Sequence, residues 1–343
     1  MSKRIEWIDI CKGIGIILVL VGHTDSMPCI KMIYSFHMAF FFMISGFLYS
    51  AKNVSLSLQT WLKSNLVRYI LPYFKYCYIN LGLYYALCLL YDLEPVRGIE
   101  NLKAFLLKYI IGIFYGRGHV AYLPNCSPLW FLPALFFSLT IFYSIQRLPS
   151  RNQRQAAVAA CFLIGSALSY STFPKPPMSA DTAVMASFFI AVGYVFRKRY
   201  MTAISLFESK PMALKCSVFL ILGLLGYIAD HHNVDVLFVN NDYGNVVLML
   251  VSSLSLSACT LMIALFIEYN KKKYGINKLC QILSWYGRNT VFIFAFDYFA
   301  MKVCKLTFKI GSGFPLFIGK TFLISIALLI IQSAKLVVKT NEA

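Results

Sequence analysis

Two imidazoles and a carboxylate, His23, His37 and Asp297, lie inside long apolar runs of this chain, where water cannot stabilise a charge. An ionised side chain at the centre of a membrane helix costs about 2.5–3.5 kcal/mol on insertion scales, so such groups are functional candidates by default. The three together form the equipment of general acid–base chemistry. One imidazole takes a proton at neutral pH while a carboxylate or a second imidazole fixes its tautomer. Lys12, Lys63, Arg68 and Arg288 are the candidate cations, in the apolar runs or at their margins; Lys75 and Lys320 also fall within spans.

Helical spacing decides whether these residues can meet. Lys12 and His23 are separated by about 1,100° of rotation, which leaves them only ~20° apart on the helix and ~16 Å apart along its axis. Asp9 falls ~40° to the other side of His23, whereas Asp25 lies ~200° round from it and is a poor partner if the helix continues. A hairpin turning near residue 30, around Pro28, puts His23 and His37 at similar depth on adjacent antiparallel helices. Asp297 lies near the same end of its own run, with Arg288 toward the other end. Gly13, Gly15 and Gly22 admit close neighbours along the first helix. Lys63 and Arg68 precede Pro72, which is expected to bend the third helix.

Structural readings stand beside the functional ones. A membrane histidine also serves as a hydrogen bond between helices, and a lysine or arginine near a helix end also snorkels to headgroups. Asp9 and Lys12 are spaced for an i,i+3 contact, and Asp297 near a helix end is placed for solvation at the interface. His119, His231 and His232 fall in loops and are expected to be solvated.

The elements that must position these residues are membrane helices. The chain is 59% hydrophobic with a mean hydropathy of +0.67 and only 13% charged residues, about half the charge of a soluble domain. Apolar runs cover 8–27, 31–50, 68–90, 128–146, 155–171, 182–196, 214–229, 244–267, 282–301 and 315–334. Each approaches the roughly 17–25 residues that cross the hydrocarbon as a helix. The fold expected is all-α: a polytopic integral membrane protein of about ten transmembrane helices, one domain over 1–343, seated in the lipid bilayer. With the N-terminus inside, 20 Lys and Arg fall on the cytoplasmic side and 9 on the other, so both termini are expected in the cytoplasm. The group Lys302, Lys305 and Lys309 runs against that rule. The net charge of +18 is thus mostly a topology signal, and nucleic acid is not an expected partner.

The first run lacks a small-residue cleavage site and carries Asp9, Lys12 and His23, so it is expected to stay as a helix rather than leave as a signal peptide. Ten cysteines are scattered without C-x-x-C or zinc spacing and read as buried thiols. No metal is expected. The longest stretch between spans, 91–127, contains NLKAFLLKYIIGIFY, which suits an interfacial or re-entrant helix. No internal repeat is evident.

The same segments resemble acyltransferase family 3, membrane proteins that O-acylate sugars and surface polysaccharides. Asp9, Lys12-Gly13 and His23 are similar to the family's opening pattern of Asp, basic-Gly and a His eleven residues after the basic residue. Phe36–Leu48, FHMAFFFMISGFL, is similar to its FHMPLFFFISGYL-like motif, and Ser127–Phe136, SPLWFLPALF, resembles the PLWFL-x-ALF segment of its fucose-acetylase-like branch. VRYILPY (Val67–Tyr73) and YGRNTVFIF (Tyr286–Phe294) support the match, which spans nearly the whole chain. Ala39 stands where the family usually has Pro, Asp297 where related members often carry His, and Arg68 where some members show an arginine pair, with Asn65 three residues before it.

The resemblance implies an acyl-coenzyme A donor, most often acetyl-CoA, as co-substrate. It also implies a carbohydrate or lipid-linked glycan acceptor and a place in the bacterial cytoplasmic membrane. Lys12, Lys63, Arg68 and Arg288 are the expected contacts for the polyanionic donor. His23 is the expected general base, with Asp297 or His37 as its orienting partner. Transport or flipping of a glycan intermediate explains helices and intramembrane charges equally well, and a glycan polymerase is a third reading. Transport moves substrate without consuming acyl-CoA; acylation releases CoA and leaves an ester.

Overall fold

A computed structural model describes residues 5–119 and 121–341, and the chain is helical nearly throughout. In order, the helices are α1 (Glu6–Gly22), α2 (Ile30–Leu48), α3 (Leu58–Asn65), α4 (Leu71–Tyr91), α5 (Ile99–Tyr115), α6 (Phe131–Gln146) and α7 (Arg151–Ser169). They continue with α8 (Ala180–Ser209), α9 (Met212–His231), α10 (Val246–Asn270), α11 (Asn277–Arg288), α12 (Thr290–Thr307) and α13 (Gly313–Asn341). Among the described residues, six helical stretches are long and apolar enough to cross a membrane: Ile30–Leu48, Ser127–Gln146, Pro177–Ser209, Met212–His231, Val246–Asn270 and Gly313–Lys335. The expectation of an all-α, multi-pass membrane protein holds. The segment expected to be interfacial or re-entrant is α5, whose Phe105 and Tyr109 pack on Tyr84 of α4.

α1 is the hub, packing against α2, α10, α11, α12 and α13. Two glycine pairs set its closest layers. A Cβ on Gly13 would strike the carbonyl of Leu283, and one on Gly287 the carbonyl of Asp9, so α1 and α11 touch backbone to backbone. Gly46 and Gly193 do the same for α2 and α8, each facing the other helix's carbonyl at Ile190 and Met43. Dispersion and close backbone approach drive helix association where lipid supplies no hydrophobic force. Gly15 and Gly22, by contrast, face side chains of α2 rather than its backbone.

Two expected helices differ in detail. The run 282–301 is divided between α11 and α12 at Asn289. The Asn289 side chain donates to the Trp285 carbonyl at 2.7 Å and accepts from Gln332 at 3.2 Å, which satisfies the end of α11 and stops it. The bend expected at Pro72 is a π-helical turn at Leu66–Ile70, joining α3 to α4 just ahead of the proline and carrying Arg68.

Candidate active site

His23 is the residue at which α1 ends. Its backbone N–H donates to the Val19 carbonyl at 2.9 Å, and the Thr24 hydroxyl donates to the Leu20 carbonyl at 2.7 Å. The chain then leaves the helix, and the loop is fastened to the α12–α13 hairpin. Gly313 N–H donates to the Asp25 carbonyl at 2.8 Å, and the Lys305 ammonium pairs with the Asp25 carboxylate at 2.5 Å. Asp25 therefore has its own partner, and the last turn of α1 is held in register with α12.

That register brings His23 Nδ1 to 2.6 Å from Oδ2 of Asp297. The other carboxylate oxygen, Oδ1, accepts from Lys320 Nζ at 2.7 Å. The side chains of Asp297 and Lys320 are 1% and 0% exposed, that of His23 11%. An ionised carboxylate only accepts, so the proton of the short contact belongs to Nδ1 of His23, and in the neutral imidazole Nε2 is then the acceptor. The lysine supplies the counter-charge that a buried carboxylate needs. The arrangement is a linear relay of imidazole, carboxylate and ammonium across α1, α12 and α13.

His37 is fixed differently. Its Nδ1–H donates to the Ile33 carbonyl one turn back, at 2.7 Å, so its Nε2 is also an acceptor. It does not reach Asp297; the orienting partner of His23 is the carboxylate. The Tyr34 ring sits near both imidazoles, with centroids 6.1 Å from His23 and 5.2 Å from His37, and Tyr298 lies 5.2 Å from His23. All four line one cavity of about 860 Å³, mouth included, roofed by Gly118 and His119 of a loop and by Ser127 and Asn240 of two short 3-10 turns. The roof is braced by Arg117, whose guanidinium makes two bonds to Asp181, at 2.8 and 3.2 Å, in a buried pair. His119 was expected to be only solvated; it is exposed but belongs to this roof.

A second cavity, about 1520 Å³ with its mouth, opens at the other end of the bundle. Lys12 and Arg68 contribute its cations, and Ser45, Asn53, Ser64 and Asn65 further polar groups. Lys63 on α3 and Arg288, the last residue of α11, do not line it. The structure thus gathers His23, His37 and Asp297 at one end and Lys12 and Arg68 at the other, and leaves two of the four expected cations outside.

Lys320 is the site residue that sequence reasoning passed over, as only a charge within a span. A signal was present. Leu316, Lys320, Ile324 and Leu328 recur every fourth residue and are the buried stripe of α13, so a lysine at such a position demands a buried anion. Tyr34 and Tyr298 carried no comparable signal, since aromatic residues are abundant throughout the spans.

Nothing among curated proteins or solved structures matches the chain. The acyltransferase domain of family 3 matches residues 5–332, from the start of α1 into α13, so it takes in every residue of the relay and both cavities. This multi-pass membrane protein therefore belongs to acyltransferase family 3, and its reaction is the transfer of an acyl group.

Proposed function

We propose that this protein O-acylates a carbohydrate hydroxyl of a surface glycan, with acetyl-CoA or another acyl-CoA as donor. The observation that carries the reading is the pairing of an imidazole relay in one cavity with a cationic cavity at the opposite end. In the expected orientation the cationic cavity faces the cytoplasm, where coenzyme A resides, and the relay faces outward in a cytoplasmic membrane. Lys12 and Arg68 suit the donor's phosphates. Lys63 and Arg288 were expected to join them, but neither lines this cavity.

The chemistry follows from the tautomer. Nε2 of His23 accepts the proton of a sugar hydroxyl as the oxygen attacks the thioester carbonyl carbon. Asp297 stabilises the imidazolium that forms, and Lys320 supplies the carboxylate's counter-charge. The carbon–sulfur bond breaks, the imidazolium returns its proton to the departing sulfur, and an ester and free CoA result. The Tyr34 and Tyr298 hydroxyls, on residues that line the cavity, are candidate donors for the oxyanion or the sugar, and Nε2 of His37 is an acceptor for a second sugar hydroxyl.

The test supplies isotope-labelled acetyl-CoA to inverted membrane vesicles bearing native glycan, with wild-type protein or His23→Ala. Label should enter alkali-labile ester on carbohydrate, and the variant should transfer about 10²–10⁴-fold more slowly. Wild-type vesicles that transfer nothing from acetyl-, succinyl- or other acyl-CoA, yet move glycan, would leave a transporter. Equal transfer by the variant would remove His23 from the chemistry.

A further inference from the structure

The two cavities approach each other inside the bundle and share a wall. Phe294 lines both of them. Its ring meets Phe41 and Phe131 at centroid distances of 5.5 and 5.6 Å, and those two are 6.0 Å apart, so each ring touches the other two. All three are buried. Their origin in the sequence makes the layer specific. Phe294 precedes Asp297 by one helical turn, Phe41 follows His37 by one turn, and Phe131 adjoins Trp130 of the relay cavity. Phe41 of α2 and Phe294 of α12 thus each sit about one helical turn, ~5 Å, from His37 and Asp297, and Phe131 of α6 packs against both; all three rings also line the cationic cavity.

Aromatic rings suit this position for a physical reason. They pack edge to face with no polar atom, so neither water nor a proton finds a hydrogen-bond partner in the layer. A Phe side chain turns on only two torsions, so a ring can swing aside for a narrow chain and close again without rearranging the backbone.

We propose that Phe294, clasped by Phe41 and Phe131, is the gate through which the acyl end of the donor passes from the cationic cavity to His23. It seals the two cavities from each other and sets the size of acyl group admitted. The proposal rests on acyl-CoA entering from the Lys12 and Arg68 side. A closed septum keeps the thioester from outside water until an acceptor is in place, and its width favours a short acyl group. Phe294 is thus a specificity and positioning residue, one turn removed from the reacting atoms.

Two measurements test it, on wild type, Phe294→Ala, Phe294→Leu and the control Phe189→Leu, a buried ring of α8 that lines neither cavity. The first uses purified protein in sealed liposomes with a trapped pH dye and a proton gradient, and needs no acyl donor. Phe294→Ala should dissipate the gradient about tenfold faster than wild type, while Phe189→Leu should match wild type. The second compares acetyl-CoA with butyryl- and hexanoyl-CoA. The Phe294 variants should raise the longer donors' kcat/KM relative to acetyl-CoA by about tenfold, with more CoA released per ester formed. Phe294→Leu, nearer in volume, keeps the test informative if the alanine variant fails to fold. Folded Phe294 variants with wild-type proton tightness and an unchanged chain-length profile would overturn the gate. A wild-type protein that transfers from no acyl-CoA would instead overturn the donor reading, and the proton measurement would still judge the septum.

Discussion

The buried lysine is the residue whose role can be separated most cleanly from folding. Removing one member of a buried ion pair strands the other, typically at 3–5 kcal/mol, whereas replacing both with neutral groups is often nearly harmless. Lys320→Met should therefore lower both the thermal midpoint of the detergent-solubilised protein and its acyl transfer. Asp297→Asn with Lys320→Met should recover most of the midpoint but not the transfer, because an amide neither holds Nδ1–H of His23 as firmly nor stabilises the imidazolium. If the double variant regained transfer together with stability, the pair would be a structural fastening and the relay would end at His23. Depth and helical face made His23, His37 and Asp297 legible as a group from spacing alone. What spacing could not supply was the choice between Asp297 and His37 as partner. That choice depends on where α1 ends, and the end at Gly22 is fixed by a loop bonded to residues 305 and 313, far along the chain.

Helices are placed by features of uneven visibility. The runs that became α2, α6, α8, α9, α10 and α13, long and apolar enough to cross a membrane, announced themselves, because hydropathy is a local property. The stop at Asn289 did not, since part of it is a hydrogen bond to Gln332, 43 residues away. The glycine contacts lie between these cases: Gly13 and Gly46 could be noticed, but their reciprocal partners Gly287 and Gly193 emerge only when helices are paired. Gly46→Leu should force α2 from α8 and cost about 1–3 kcal/mol by overpacking. Gly82→Ala in α4, where nothing lies within 4 Å of an added Cβ, should be neutral or stabilising. Equal thermal shifts for the two would refute the close-approach account. The α4–α5 connection offers a pH test. Partial burial pushes the Glu94 carboxyl up, but hydrogen bonds from Tyr109 and Tyr84 and the Lys108 ammonium outweigh it and hold Glu94 below its ordinary value. A lowered carboxylate stabilises the fold above the unfolded value near ~4.3 and loses that contribution as pH falls through the lower folded value. Wild type should thus lose more thermal stability between about pH 6 and pH 3 than Glu94→Gln does. Parallel losses would show that the cluster contributes nothing.

At the scale of the whole molecule, the question is which surface charges belong to the reaction and which to topology. The sequence treated Lys12, Lys63, Arg68 and Arg288 alike, because all four lie toward one side by the count of positive charges. Folding separates them. Arg68 stands on the π turn and lines the large cavity beside Lys12, while Lys63 and Arg288 lie outside it. A hydrogen bond to a charged group is worth about 1.5–3 kcal/mol, so losing one phosphate contact should weaken donor binding by roughly 10–100-fold. Arg68→Gln should raise the KM for acyl-CoA by that factor, with kcat and the KM for glycan little changed, since the contact is remote from the reacting atoms and persists through the reaction. Added salt should raise the wild-type KM for acyl-CoA and narrow the gap to the variant. Lys63→Gln and Arg288→Gln should leave all of these constants near wild type. If instead all four substitutions raised the donor KM alike, attraction would come from the general positive field of that side, and the cavity would not be the donor's seat. Sidedness completes the test. Acyl-CoA should be consumed only when offered at the face where the Arg68 cavity opens, and the ester should appear on glycan at the face of His23, which is what a relay and a cationic cavity at opposite ends of one bundle require.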